Sequence, residues 1–132
     1  ALLAAPAAGQ AEDLDDVARS FAQALATGDQ SAVAGAFRED DVLLELLGQE
    51  HGALERRRAA SALADFLKAH ESQDMVVTRV SEVGGQPPRA FAELRWTATR
   101  PETSEVLRFT VFAGFVSEDG KWRVSEVRIL RG

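Results

Sequence analysis

The chain changes from a helical to a strand-like spacing of apolar residues near its middle. Over residues 14–25 the apolar side chains recur every three or four positions, which predicts a helix that ends at Gly28. A second, short helix is expected over 31–37 with Ser31 as its N-cap, and a third over 54–70. The first half of the chain is therefore predicted to be mainly helical.

One short apolar run lies between the second and third predicted helices. Residues 42–47 predict a strand rather than a helix, because the run is too short for a stable helix. Gly48 and Gly52 then bracket a predicted loop that carries His51.

After Asp74 apolar and polar residues alternate, which is the period of strands. Four strands are predicted, over 75–83, 89–99, 105–116 and 121–130. The short connections between them imply an antiparallel meander. The alternation changes phase within the last run, so we expect a β-bulge near Ser125 and Glu126 that curls the sheet.

The alternation also assigns the two faces of the predicted sheet. The inward positions are almost wholly apolar, and they include Trp96, Phe109 and Val111. The outward positions carry Arg79, Glu93, Arg95, Thr97, Arg108, Thr110, Glu126 and Arg128. The predicted fold is α+β, with three N-terminal helices packed on one face of a curved antiparallel sheet of four to five strands.

Composition excludes several classes of function. The chain has 132 residues, which is room for one domain. Its formal net charge of −6 argues against a nucleic-acid partner. It has no cysteine, which excludes disulfides, thiol nucleophiles and cysteine metal sites.

Residues 1–11, ALLAAPAAGQA, are apolar and rich in small residues. This pattern is typical of the remnant of a signal peptide with its cleavage zone, or of an apolar N-terminal tail. The apolar run is too short to span a membrane. We therefore expect an exported protein (periplasmic, extracellular or at the cell surface), with residues 12–132 as its single domain.

The order of elements and several short motifs resemble the nuclear transport factor 2-like superfamily, whose members form a cystatin-like α+β cone. The resemblance rests on the end of the first helix at 26–29 (ATGD), on the middle helix 59–67, and above all on 120–129 (GKWRVSEVRI). It resembles in particular small bacterial exported members of that superfamily whose function is uncharacterised.

The resemblance implies a fold and leaves enzymes, binding modules and assembly modules open. Enzymes of the superfamily use polar groups that project into the cone, such as a Tyr with carboxylic acids, an Asp-Arg-Asp set, or a His with an Asp. This chain has no Tyr, and its inward strand positions are apolar. None of these sets can be transferred to it, so we expect no catalytic residues.

The remaining polar candidates each have a simple structural explanation. His51 fits an exposed loop, and His70 fits the C-terminal end of a helix, where the dipole favours a cation. Glu45 interrupts the apolar run 42–47, but alternation assigns it to the outward side with Leu43. The basic run 56–58 spreads around a helix rather than along one face. We expect no metal site and no cofactor.

The sequence thus predicts a non-enzymatic exported domain that self-assembles or binds proteins. As partner we expect a second copy, in a dimer through Arg95, Arg108 and Arg128, or in a head-to-tail oligomer or filament in which Leu2 and Leu3 dock near the cone mouth of a neighbour. The alternative is a small apolar ligand or substrate held in the cone. The residues predicted to line that pocket are Leu43, Leu47, Trp96, Phe109 and Val111.

Overall fold

A computed structural model describes residues 13–132 as three helices and one six-stranded sheet. The helices are α1 (Leu14–Thr27), α2 (Gln30–Ala36) and α3 (Arg56–Lys68). The strands are β1 (Val42–Leu46), β2 (Gln49–Leu54), β3 (Glu71–Gly84), β4 (Arg89–Thr99), β5 (Val106–Glu118) and β6 (Lys121–Arg131). The α+β prediction is confirmed, although the sheet has more strands than the four to five expected.

Helix α1 has clear signals at both ends. The side chain of Asp13 caps it by accepting a hydrogen bond of 2.9 Å from the backbone N–H of Asp15. Gly28 ends it in the left-handed conformation (φ 71°), which glycine adopts without steric cost. The predicted extent of this helix is therefore confirmed.

The other two helices differ from prediction at their ends. Asp29 rather than Ser31 caps α2, by accepting a hydrogen bond of 3.1 Å from the N–H of Ala32. Helix α3 is shorter than the predicted 54–70, because Leu54 belongs to β2 and β3 already starts at Glu71.

The predicted loop around His51 is wrong, because these residues form strand β2. Strands β1 and β2 pair as a hairpin in which Leu46 lies opposite Gln49. The two residues between them, Leu47 and Gly48, both have positive φ (53° and 84°), as a tight hairpin turn requires. His51 is exposed on an outer strand of the sheet.

The sheet has the order β2-β1-β6-β5-β4-β3. Strands β3 to β6 form the predicted antiparallel meander, whereas β1 pairs with β6 in parallel. The predicted bulge is confirmed: Gly114 lies opposite Glu126 and Phe115 opposite Val124, which leaves Ser125 as the extra residue of β6.

The core lies between the helices and the concave face of this sheet. Its largest fully buried side chains are Trp96, Phe21, Phe37, Phe109, Phe115, Leu25, Leu63, Leu94 and Ile129. They come from α1, α3 and the inward positions of three strands, β4, β5 and β6, together with the segment after α2. One continuous core therefore holds helices and sheet together.

Two further points concern the predicted N-terminal tail and membrane insertion. Residues 1–11, with the predicted docking residues Leu2 and Leu3, lie outside the described residues. Within residues 13–132, none of the helices combines the length and the apolar character needed to cross a membrane.

Candidate functional site

The predicted cone pocket divides into two unrelated groups of residues. Trp96, Phe109 and Val111 point inward and are at most 1% exposed, so they are part of the packed core. Leu43 and Leu47 are 47% and 43% exposed. Alternation along β1 explains the separation, because Leu43 faces away from the core while its neighbour Leu44 is buried. The structure does not bring the five residues together.

The ring of His70 lies among aromatic side chains on the inner side of the sheet. Its centroid lies 5.2 Å from that of Phe66 and 5.3 Å from those of Trp96 and Phe109. Its Nδ1 lies 3.1 Å from the backbone carbonyl oxygen of Phe66. We refer to these four rings as the aromatic cluster.

The position of His70 at the end of a helix was predicted, but its aromatic neighbours were not. They come from α3, β4 and β5, which the sequence alone does not bring to one place. A cavity of about 240 Å³ lies beside the cluster and is lined by His70, Ser72, and residues near the ends of α1 and α3. The indole N–H of Trp96 donates a hydrogen bond of 3.1 Å to the Ser72 hydroxyl.

His70 contacts a backbone carbonyl and three aromatic rings. Together they fix the position and orientation of the imidazole between α3 and the sheet.

The opposite side of the sheet, which we call the outer face, carries the predicted arginines. Arg95, Arg108 and Arg128 are all exposed there. One row of this face crosses four strands, from Glu93 through Phe112 and Arg128 to Glu45. The Nε of Arg128 lies 3.4 Å from the Oε1 of Glu45. This row of the outer face thus carries charged groups of both signs.

The outer face also carries apolar side chains that the sequence analysis did not single out. Phe91, Phe112 and Leu130 are only half-buried there, and Leu43 and Val76 are 47% and 46% exposed. The guanidinium of Arg79 lies 5.2 Å from the centre of the Phe91 ring. The sequence could have indicated these apolar residues on the outer face, because all three half-buried residues occupy outward positions in the alternation of their strands.

Two other candidates of the sequence analysis have structural roles. Arg56, from the basic run 56–58, donates a hydrogen bond of 2.9 Å from its guanidinium to the carbonyl of Phe37, which fastens α3 to the segment after α2. Glu45 points outward, as alternation predicted, and pairs with Arg128. Among the side chains that the structure describes, no three His, Asp or Glu residues are arranged to hold a metal ion.

Comparison with known proteins supports the fold. The sequence profile of the SnoaL-like domain matches residues 17–125. None of the curated proteins compared with the chain matches it significantly.

Three solved structures illustrate the structural similarity. A DUF4783 family protein of Bacteroides uniformis has a TM-score of 0.67 at 14% identity, over 86% of this chain and 95% of that chain. An NTF2-like protein of Cytophaga hutchinsonii has a TM-score of 0.63 at 13% identity, over 89% and 93%. An LEH-like epoxide hydrolase of Mycobacterium tuberculosis has a TM-score of 0.62 at 19% identity, over 89% and 80%.

These identities are low, and the solved structures therefore establish the cone-shaped fold alone. The family match is more specific, because it spans most of the chain and covers most of α1, all of α2 and α3, and most of the sheet. The chain therefore belongs to the SnoaL-like domain family, within the nuclear transport factor 2-like superfamily.

Proposed function

We propose that this domain is a non-enzymatic exported protein that acts by associating with a second copy of itself through the outer face of its sheet. The observation that carries the proposal is the composition of that face. On that face, half-buried and exposed apolar side chains lie beside charged groups of both signs.

The apolar side chains suit the centre of an interface. Phe112 lies in the middle of the sheet, and Phe91 and Leu130 occupy neighbouring outward positions on β4 and β6. Aromatic residues and arginine are enriched at the centres of protein interfaces, where they exclude water. A second copy laid on this face would bury all three.

The charged side chains suit contact with an identical surface. In a two-fold symmetric dimer each patch meets a copy of itself, so it must carry groups that complement one another. Glu93, Arg128 and Glu45 follow one another along a single row, and Arg95 and Arg108 lie on neighbouring rows. A row that carries both signs can pair with a rotated copy and fix its orientation.

The non-enzymatic part of the proposal is supported by what fills the cone. The inward positions hold Phe21, Trp96 and Phe109, all 2% exposed or less. A small apolar ligand or a substrate at these positions would have to displace the packed rings. The epoxide hydrolase among the similar structures carries its activity on the same fold, so the fold itself is compatible with either function.

The exported location is supported by composition alone. Residues 1–11 combine an apolar stretch with small residues at the spacing that signal peptidases accept. They lie outside the described residues.

The dimer is tested by variants of the outer face, measured by analytical ultracentrifugation. The Phe112→Glu variant places a charge at the centre of the interface and should raise the dimer dissociation constant by about 30-fold or more, the effect of losing an interface hot spot. Arg108→Glu, nearer the rim, should raise it by roughly tenfold.

The matched control is Lys121→Glu, which makes the same charge reversal at the exposed first residue of β6, far along the strand from Arg128 opposite Phe112, and should leave association unchanged. Circular dichroism checks that each variant is folded. An unmodified chain that remains monomeric at high micromolar concentration would contradict the proposal.

A further inference from the structure

The charges in one row of the outer face are arranged antisymmetrically about Phe112. The row runs from β3 to β1 through paired positions, in the order Arg79, Glu93, Phe112, Arg128 and Glu45. Strand β5, which carries Phe112, is the middle one of these five neighbouring strands. The charges along the row are therefore positive, negative, zero, positive and negative. Reading the row backwards reverses every sign.

Two charged groups of this row lack an opposite charge inside the domain. Within residues 13–132, neither Arg79 nor Glu93 forms an ion pair, although the two occupy opposite positions on adjacent strands. The guanidinium of Arg79 lies 5.2 Å from the centre of the Phe91 ring instead. The carboxylate of Glu93 lies 3.5 Å from the Thr78 hydroxyl, which donates to it. Both groups can therefore accept a counter-charge from outside the domain.

The other two charged groups of the row pair with each other but remain accessible. The Nε of Arg128 lies 3.4 Å from the Oε1 of Glu45, and the two side chains are 46% and 23% exposed. A guanidinium has five N–H donors and a carboxylate has two oxygens, so one ion pair does not use up either group. Each can take a second partner of opposite sign.

Two placements of a second copy on this row differ in what each charge meets. Copies that lie face to face in a symmetric dimer are related by a two-fold axis between them. If this axis ran along the row, every charged group would meet its own copy, and like charges would repel at each position. If the axis ran along β5, the row would meet its own reverse, and every charge would face the opposite sign.

We infer that the two copies of the proposed dimer are related by a two-fold axis that runs along β5 and passes through Phe112. This inference rests on the proposed function and specifies how the second copy lies on the outer face. Glu93 of each copy then faces Arg128 of the other copy, and Arg79 faces Glu45. The two Phe112 rings meet on the axis, where water is excluded from the centre of the contact.

The spacing of strands brings the members of each pair opposite one another. Neighbouring strands lie about 4.8 Å apart, and packed sheets lie about 10 Å apart. Glu93 and Arg128 lie one strand to either side of β5, whereas Arg79 and Glu45 lie two strands away. The twist of the sheets displaces the outer pair more than the inner pair. The pair of Glu93 with Arg128 is therefore the one whose contact depends most directly on the axis.

The two adjacent rows are compatible with this axis. On one of them, Arg95 faces Leu130 of the other copy, and on the second, Phe91 faces Glu126. Neither row places like charges opposite one another. Arg108 would meet its own copy, but it lies four residues from Phe112 along β5, about 13 Å away. That position is at the rim of the contact, where the two convex faces diverge.

Charge reversals within the inner pair test the axis, with the dimer dissociation constant measured by analytical ultracentrifugation. Glu93→Arg and Arg128→Glu should each raise this constant by about tenfold or more, because each places like charges opposite one another at two symmetric contacts. The double variant Glu93→Arg/Arg128→Glu restores opposite signs at both contacts. It should return the constant to within about threefold of that of the unmodified chain.

The matched control is the double variant Glu93→Arg/Lys121→Glu, which makes the same changes in net charge but places the second reversal away from the row, opposite Glu118. It should associate as weakly as Glu93→Arg alone. Circular dichroism checks that every variant is folded.

The outcomes separate this inference from the proposed function. An unmodified chain that stays monomeric would contradict the proposed dimer itself. If the unmodified chain dimerises but the single reversals leave the dissociation constant unchanged, or the Glu93→Arg/Arg128→Glu variant does not recover, the dimer stands and the axis is wrong. Equal recovery in the Lys121 control would also overturn the axis, because net charge rather than facing residues would then control association.

Discussion

Trp96 shows how much of the interior depends on one side chain. It is fully buried, its ring stacks on Phe109 with 4.7 Å between centroids, and its indole N–H reaches Ser72. It therefore links the middle of β4 to β5 through stacking and to β3 through a hydrogen bond. The two contributions can be separated by mutation.

We expect Trp96→Ala to lower the free energy of unfolding by about 3–5 kcal/mol, because it removes a large buried side chain and leaves a cavity. Ser72→Ala should cost only about 1 kcal/mol, the usual effect of losing one hydrogen bond. Urea titrations at a single protein concentration measure both. A cost below about 1 kcal/mol for Trp96→Ala would indicate a loosely filled cone and would favour the ligand-binding alternative.

Residue positions were predictable wherever strand alternation decides them. Trp96 and Phe109 point inward, and Arg95, Arg108 and Arg128 outward, as the sequence indicated. The pocket grouping was wrong although the sequence held the signal, because alternation along 42–47 already assigned Leu43 to the outward side with Glu45. What the sequence could not show is that this strand pairs with the distant β6.

The β1–β2 hairpin is the element that the sequence analysis missed. Tight hairpin turns are usually marked by Asn-Gly or Asp-Gly, whereas this one is Leu47-Gly48. Strand β2 is also exposed along most of its length, so it lacks the alternation that identifies strands. Leu47 is an unfavourable residue at this position, because leucine rarely adopts positive φ.

Replacing Leu47 by asparagine should therefore stabilise the domain by about 0.5–1 kcal/mol, because asparagine adopts the left-handed conformation more readily. Leu43→Asn is the matched control. Leu43 is similarly exposed but has ordinary strand geometry, so its replacement should be neutral or destabilising. Thermal unfolding of both variants measures the difference, and equal effects would show that the turn is not strained.

For the whole molecule, the proposed dimer makes stability depend on protein concentration. Association through the outer face adds to the stability of each copy, and unfolding separates the copies. A monomeric domain of this size unfolds at a temperature that does not depend on concentration. The outer-face charges adjust the strength of association, and the apolar centre supplies most of it.

We expect the Tm of the unmodified chain to rise by about 4–5 °C for a 100-fold increase in concentration. The Phe112→Glu variant should show no such rise over the same range, because its copies stay apart. Calorimetry at two concentrations measures the shift. A concentration-independent Tm for the unmodified chain would argue for a monomer.

The parallel pairing of β1 with β6 has a consequence for how the chain folds. Leu43 lies opposite Glu126, so strands from the two ends of the domain must meet before the sheet is complete. Contacts over such a sequence separation form slowly, because a long loop has to close first. During synthesis the hairpin of β1 and β2 therefore cannot join the sheet until the last strand, β6, has been made. Shortening the chain by ten residues from its C-terminus would remove most of β6, the strand that joins the β1–β2 hairpin to β3, β4 and β5.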